Sequence, residues 1–408
     1  MAEDDIYHSK RKYGGFVEEY IINKGILKKP TEKRKYYCKN PANLKYYHKL
    51  IRRFEVDDLS YIRRLRLLSV MNMLCYFIEC DLKDAGSFER DEVIIQIRKI
   101  TSPSQLKKTQ LEIKRIGKIL FEDSEMPEFF KNFKIKVDIS QIKARKDKLT
   151  YEEFEKLVKY FCDDPTMQAF LTITMETLAR PQELLYTKIE DVELFDKYAI
   201  IHISEHGKEG IKKLLCIDSY PYLLKLLSAH RDPKNKKSYL FLNKEGKQLT
   251  PHSINKKLKR ALKYLNIDKP ITSYSIKRFG VTFRRLRGDD EVTIQKIAGW
   301  KSPQQLRVYD LSDQDDIFRI ELAKRGLLKD ENFNRFPKTR KCDFCGELVG
   351  FAETVCPKCK RLMDPNLVKK EFEEKEEIIK KLEFFSKFYE RYKEKFDRIL
   401  EEAKKSLS

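Results

Sequence analysis

Long apolar runs are missing from this sequence. None approaches the roughly 20 residues that cross a bilayer, so no membrane partner is expected. The first residues, Met1-Ala2-Glu3-Asp4-Asp5, lack the basic and apolar regions of a signal peptide, which points to a cytoplasmic protein. Acidic residues are in deficit, 64 against 85 Lys and Arg, for a net charge of +21 and a pI near 9.3. Such an excess of cations fits a polyanion partner, most simply nucleic acid. Tryptophan occurs once, at Trp300. Hydrophobic residues still make up 41%, enough to fill real cores, and 408 residues suffice for about two to four domains. The nine cysteines are an odd number, and four of them stand in two C-x-x-C pairs. That arrangement favours a metal over disulfides in a reducing compartment.

Residues 1–40 form a basic N-terminal segment with no clear period. Its clusters Lys10-Arg11-Lys12 and Lys33-Arg34-Lys35 suit either a DNA backbone or a solvated tail. Residues 41–135 read as a helical domain. Apolar residues recur at three- and four-residue steps around Leu44–Ile51, Ile62–Leu74, Val93–Ile97 and Leu111–Leu120. Residues 136–148 are a polar, basic linker. Thr150 and Glu153 then form a capping-box pattern that opens a further helix.

The stretch from Arg180 to Tyr309 carries the chemistry. Pro181 disfavours helical geometry at Arg180, which places that guanidinium at a helix-to-turn junction. Two short β-rich runs, Tyr198–Ser204 and Ile211–Ile217, flank Gly207-Lys208-Glu209-Gly210 and read as a hairpin. Thr272-Ser273-Tyr274-Ser275-Ile276-Lys277-Arg278 supplies a second basic pair, and Trp300 and Tyr309 follow. No carboxylate cluster with metal-ligand spacing stands among them. The inventory suits phosphodiester chemistry that needs no cofactor: cations neutralise phosphate oxygens, a donor protonates the leaving oxygen, and a hydroxyl attacks.

In order and spacing these residues resemble the catalytic domain of the tyrosine recombinases, the phage-integrase and Xer family. The resemblance implies a mainly α fold with a small β-sheet (α+β). It implies a core-binding DNA clamp at 41–135, with Arg52, Arg53, Arg63, Arg64 and Arg66 as phosphate contacts, and a catalytic domain at 149–330. Arg180 would bind the scissile phosphate and Lys208 would be the general acid, with Lys212 as the alternative. Trp300 stands where most members have His, and Tyr309, nine residues on, is the implied nucleophile. The second box departs from the usual Thr-Pro-His-x-Leu-Arg-His. Tyr274, or Ser275, takes the His position, and the phosphate ligand is either Lys277 or Arg278. Arg278 is favoured here because only a guanidinium offers two parallel donors. The implied function is site-specific recombination or integration of double-stranded DNA through a 3′-phosphotyrosyl intermediate, by a dimer on a site and a tetramer in synapsis. A type IB topoisomerase-like enzyme and a catalytically decayed DNA-binding protein are the alternatives.

After a further helix at about 315–328, Cys342, Cys345, Cys356 and Cys359 have the spacing of a structural Cys₄ zinc ribbon over 338–364. Residues 365–408 read as an amphipathic helix. Its seam of Ile378, Leu382, Phe385, Tyr389, Tyr392, Phe396 and Ile399 steps by four and three. Either it pairs protomers or it packs back on its own chain.

Overall fold

A computed structural model describes residues 5–28, 35–136, 146–203, 210–328, 339–342, 344–363 and 365–406. The chain divides into two compact units, Met1–Arg145 and Lys146–Ser408.

In the first unit α1 (Ser9–Phe16), α2 (Leu44–Val56), α3 (Tyr61–Phe77), α4 (Ser87–Ile100), α5 (Pro103–Leu120) and α6 (Glu128–Lys131) enclose one apolar core. The longer helices follow the apolar spacing of the sequence. Tyr47, Leu50 and Phe54 of α2, Leu67 and Leu74 of α3, and Ile113 and Ile116 of α5 are all buried in that core. Each contributes on the order of 1.5–3 kcal/mol by leaving water. Arg64 corrects an expectation. It is not on a wet face but 3% exposed, with its guanidinium carbon 5.3 Å and 4.8 Å from the Tyr13 and Tyr61 ring centroids. It donates to the Leu59 carbonyl at 2.6 Å and pairs with Glu55, so it holds this unit together by cation–π and ionic contacts. Arg52, Arg63 and Arg66 are exposed.

The second unit contains α7 (Tyr151–Tyr160), α8 (Pro165–Thr177) and α9 (Pro181–Leu185), then β1 (Val192–Leu194), β2 (Ala199–Ile203) and β3 (Lys212–Cys216). They are followed by α10 (Tyr220–Ser228), α11 (Pro251–Tyr264), α12 (Ser273–Leu286), α13 (Glu291–Ala298), α14 (Gln304–Tyr309) and α15 (Gln314–Lys324). Thr150 caps α7: its Oγ1 accepts from the Glu153 amide at 3.2 Å, and the Glu153 carboxylate accepts from the Thr150 amide at 2.8 Å. Helix α8 is the axis of the unit, with every residue from Met167 to Thr177 buried. Helix α12 crosses it so closely that a Cβ on Gly280 would lie 2.3 Å from the Met175 carbonyl oxygen. The strands form an antiparallel sheet in the order β1-β2-β3, with Ile203 opposite Lys212. Glu176 of α8 ties down the far end of the hairpin. Its carboxylate accepts from the amides of Ile217, Asp218 and Ser219 at 2.8–2.9 Å and from the Ser219 hydroxyl at 2.5 Å.

A small two-stranded sheet, β4 (Arg340–Lys341) with β5 (Leu348–Val349), precedes α16 (Pro365–Ser406). The expected continuous seam of α16 is interrupted: Tyr392 has φ −120° and ψ 16°, which breaks the helical ladder there. Ile378, Leu382, Phe385, Tyr389, Tyr392 and Ile399 are each at least 38% exposed, so packing back on the chain is not observed among the described residues. The Phe396 side chain lies outside them. No described helix is long and apolar enough to cross a membrane.

Candidate active site of the second unit

Helix α8 ends on Leu178, a buried residue with φ 55°. A branched side chain in that left-handed region costs on the order of 1–3 kcal/mol. The turn it makes delivers Arg180, 3% exposed, to the start of α9. Glu183, three residues on, then organises the cations. Its carboxylate accepts from the Arg180 amide at 2.8 Å and from the Arg180 guanidinium at 3.2 Å. It also pairs with the Lys212 ammonium at 2.6 Å. Lys212 reaches it because the period of two along β3 puts Lys212 on the inner face with Leu214 and Cys216. Burial pushes the Glu183 carboxyl up, but Lys212, the Arg180 amide and Lys277 together hold it below the ordinary carboxylate range.

Three later helices close the site. Lys277 of α12 is fully buried, with its ammonium 5.0 Å from the Tyr309 ring centroid and 5.4 Å from that of Trp300. Trp300 follows Gly299, whose φ of 70° ends α13. Its ring stacks on Tyr309 at 5.2 Å and 27° over an apolar bed of Leu178, Val281, Ile294, Ala298 and Leu306. The Trp300 Nε1 is buried and has no hydrogen-bond partner among the described residues. On α14, Gln305 and Tyr309 are four residues apart and share a face. Gln305 Oε1 accepts from the Arg180 guanidinium at 3.1 Å, which locks the tyrosine helix to the arginine turn. Gathered here are three cations, one carboxylate and a half-buried phenol. Such a cluster of cations beside a hydroxyl is chemically suited to hold an anion.

Residues 147–315 match the phage integrase family. The matched stretch holds Arg180, Lys212, Lys277, Trp300 and Tyr309. The tyrosine recombinase XerD of Listeria monocytogenes is 27% identical over 152 residues, 35% of this chain and 48% of that protein. XerD of Listeria innocua is 30% identical over 145 residues, with the same coverage. The chain thus spans about half the length of the curated relatives it matches. In fold, it resembles the Tn1549 transposon integrase solved with transposon right end DNA. That match has a TM-score of 0.56 at 14% identity and covers 69% of this chain and 99% of the other. The XerH recombinase bound to its palindromic difH substrate gives 0.53 at 15% identity, covering 79% and 98%.

Within the matched stretch, Arg180, Lys277, Trp300 and Tyr309 come together. Arg278 does not join them. Its Nε donates to Asp147 at 2.9 Å, its terminal nitrogen pairs with the same carboxylate, and the Ser275 hydroxyl donates to Asp147 at 2.7 Å. Successive helical residues diverge by about 100°, so α12 can turn only one of the two cations to Tyr309. Lys277, and not the favoured Arg278, is thus the cation beside Tyr309. Tyr274 is half-buried near the start of α12, three residues before Lys277 and on the same side of the helix. Lys208 lies outside the described residues. Gln305 was missed by sequence reading, although its spacing from Tyr309 was available as a signal.

The four cysteines also converge. Their sulfurs all lie within 4.8 Å of one another, with Cys342–Cys359 and Cys345–Cys356 at 3.6 Å. Tetrahedral zinc–thiolate bonds of about 2.3 Å imply sulfur separations of roughly 3.8 Å, so the set fits that ion. Each C-x-x-C turn closes alike: Gly346 donates to the Cys342 carbonyl at 2.8 Å and Lys360 to that of Cys356 at 2.9 Å. Both donors have positive φ, 70° and 61°.

Proposed function

We propose that the chain is a site-specific DNA recombinase or integrase that cuts and rejoins strands of double-stranded DNA through a 3′-phosphotyrosyl intermediate. The observation that carries this reading is Tyr309 stacked on Trp300 with the Lys277 ammonium 5.0 Å from its ring, beside the Arg180–Glu183–Lys212 cluster. The Tyr309 oxygen bonds to phosphorus as the bond to the 5′ oxygen breaks. Arg180 and Lys277 neutralise the phosphate oxygens, and the unpartnered Trp300 N–H gains an acceptor there. Lys208 or Lys212 returns a proton to the departing 5′ oxygen. A 5′-hydroxyl from a partner strand then reverses the step.

Two further readings complete the proposal. Cys342, Cys345, Cys356 and Cys359 hold one structural zinc, and four thiolates leave no coordination position open for catalysis. Pairs of protomers occupy one DNA site and four meet in synapsis, in a cytoplasmic setting that keeps the thiols reduced. The solved DNA complexes of the Tn1549 integrase and XerH support the DNA partner by analogy of fold. The deciding experiment uses a nicked suicide substrate, which traps covalent protein–DNA adduct. Wild-type protein forms the adduct. Tyr309→Phe binds the same DNA and forms none; an adduct with that variant means another residue is the nucleophile.

A further inference from the structure

The cysteine ribbon packs on the rest of the second unit around one aromatic side chain. The Phe351 ring lies 5.7 Å from the Tyr222 ring and 6.3 Å from those of Tyr151 and Phe154. Around it the fit is close. A Cβ on Gly350 would stand 2.4 Å from the Tyr222 ring, so only glycine lets the ribbon backbone approach. The Ala352 amide donates to the Tyr222 hydroxyl at 2.9 Å. Glu353 pairs at 3.1 Å with Lys225, whose ammonium also donates to the Cys162 carbonyl and to Gln168 at 2.8–2.9 Å.

The aromatic contacts continue inward. Phe154 stacks on Phe279 at 4.8 Å and 29°, and Tyr151 stacks on Phe283 at 5.7 Å and 23°. Phe279 and Phe283 belong to α12, the helix that presents Lys277 to Tyr309. A contiguous stack of rings thus runs from the ribbon through α7 to α12.

The ribbon has little else to hold its shape. Its strands are two residues each, and its core consists of Val349 between Cys342 and Cys356. So small a core does not stabilise a fold, and the free energy of metal binding has to supply the difference. A bound metal ion would supply the cross-links that set the loop carrying Phe351.

We propose that metal loading of the cysteine cluster is coupled to the order of α12 through Phe351. The ribbon is a metal-dependent brace on the helix of Lys277, and Phe351 is a positioning residue. Removing the ion, or oxidising its thiolates, withdraws Phe351 from Tyr151, Phe154 and Tyr222 and loosens α7 and α12 together.

The test compares amide exchange in the full chain loaded with Zn(II) and in the chain stripped by a chelator under reducing conditions. Wild type and Phe351→Ala are both followed, with zinc per chain measured in each. Stripping wild type is expected to speed exchange in residues 151–160 and 273–286 at least tenfold. Loaded Phe351→Ala should keep one zinc per chain yet already show most of that acceleration, and stripping it should add less than twofold in α12. This non-additivity is the mark of a shared path. The proposal is overturned if stripping wild type affects exchange in the ribbon alone. It is equally overturned if Phe351→Ala responds to stripping as fully as wild type. Exchange is read whether or not the chain cleaves DNA, so the outcome stands apart from that of the recombinase reading.

Discussion

Lys277 directs its ammonium to the ring of Tyr309, 5.0 Å from the centroid, while Arg278 beside it turns to Asp147. One step along a helix separates a cation beside the Tyr309 ring from a cation paired with a buried carboxylate. A lysine here gives up the two-pronged grip of a guanidinium. Arg180 keeps that geometry, and Lys277 adds a compact charge.

The division predicts opposite phenotypes. Lys277→Met keeps the apolar stem and removes the charge. It should slow single-turnover cleavage of a suicide substrate by about 10²–10³ at saturating protein. Arg278→Met leaves Asp147, 6% exposed, without the guanidinium that neutralises it. It should lower stability by about 3–5 kcal/mol in denaturant titration, with near-normal cleavage where the variant is folded. A slow but stable Arg278→Met would return the phosphate to the arginine.

Glu183 should be needed for both geometry and charge. Its folded-state carboxyl is held below the ordinary range, so its ionised form adds stability above the unfolded value, and that stability is lost as pH falls through the folded value. Glu183→Gln should therefore be less stable than wild type at pH 7, with the gap narrowing below about pH 4. A gap that stays constant in acid urea titrations would show that charge is not what Glu183 contributes.

Asp218 behaves in the opposite sense. Burial first, and the neighbouring Glu176 second, push its carboxyl up to about 6. The folded state then binds the proton more tightly than the unfolded state, so the contribution is full below the unfolded value and disappears as pH rises through 6. Asp218→Asn should remove this part of the pH dependence. The variant should gain Tm relative to wild type between pH 4 and 7, and parallel Tm curves for the two proteins would refute the assignment.

Gly280→Ala tests the crossing of α8 and α12. One methyl group must displace the Met175 carbonyl, which costs about 1–3 kcal/mol of overpacking. Thermal unfolding should show a lower Tm, and adduct formation should fall because Lys277 lies on the same helix. An unchanged Tm would mean that the two helices can separate without loss.

Local rules made much of this site readable. Pro181 marks the turn at Arg180, β-rich runs mark β2 and β3, spacing finds the four cysteines, and the family resemblance points to Tyr309. What stayed hidden depends on partners far away in the chain. Which of Lys277 and Arg278 faces the tyrosine is decided by Asp147, 131 residues from Arg278. Lys212 is drawn to Glu183 by the fold of the sheet, and Arg64 is buried because two tyrosine rings take it. The left-handed Leu178 and the break at Tyr392 have no signature in residue type, since neither is glycine or next to proline.

The chain has a single tryptophan, and that indole rests on the ring of Tyr309. Nature has thereby placed an intrinsic fluorophore against the proposed nucleophile, with no other indole to blur its emission. Any swing of the phenol toward bound DNA must uncover one face of Trp300. Emission wavelength and quenching would then follow the tyrosine in real time, in unlabelled protein, before a covalent bond is made.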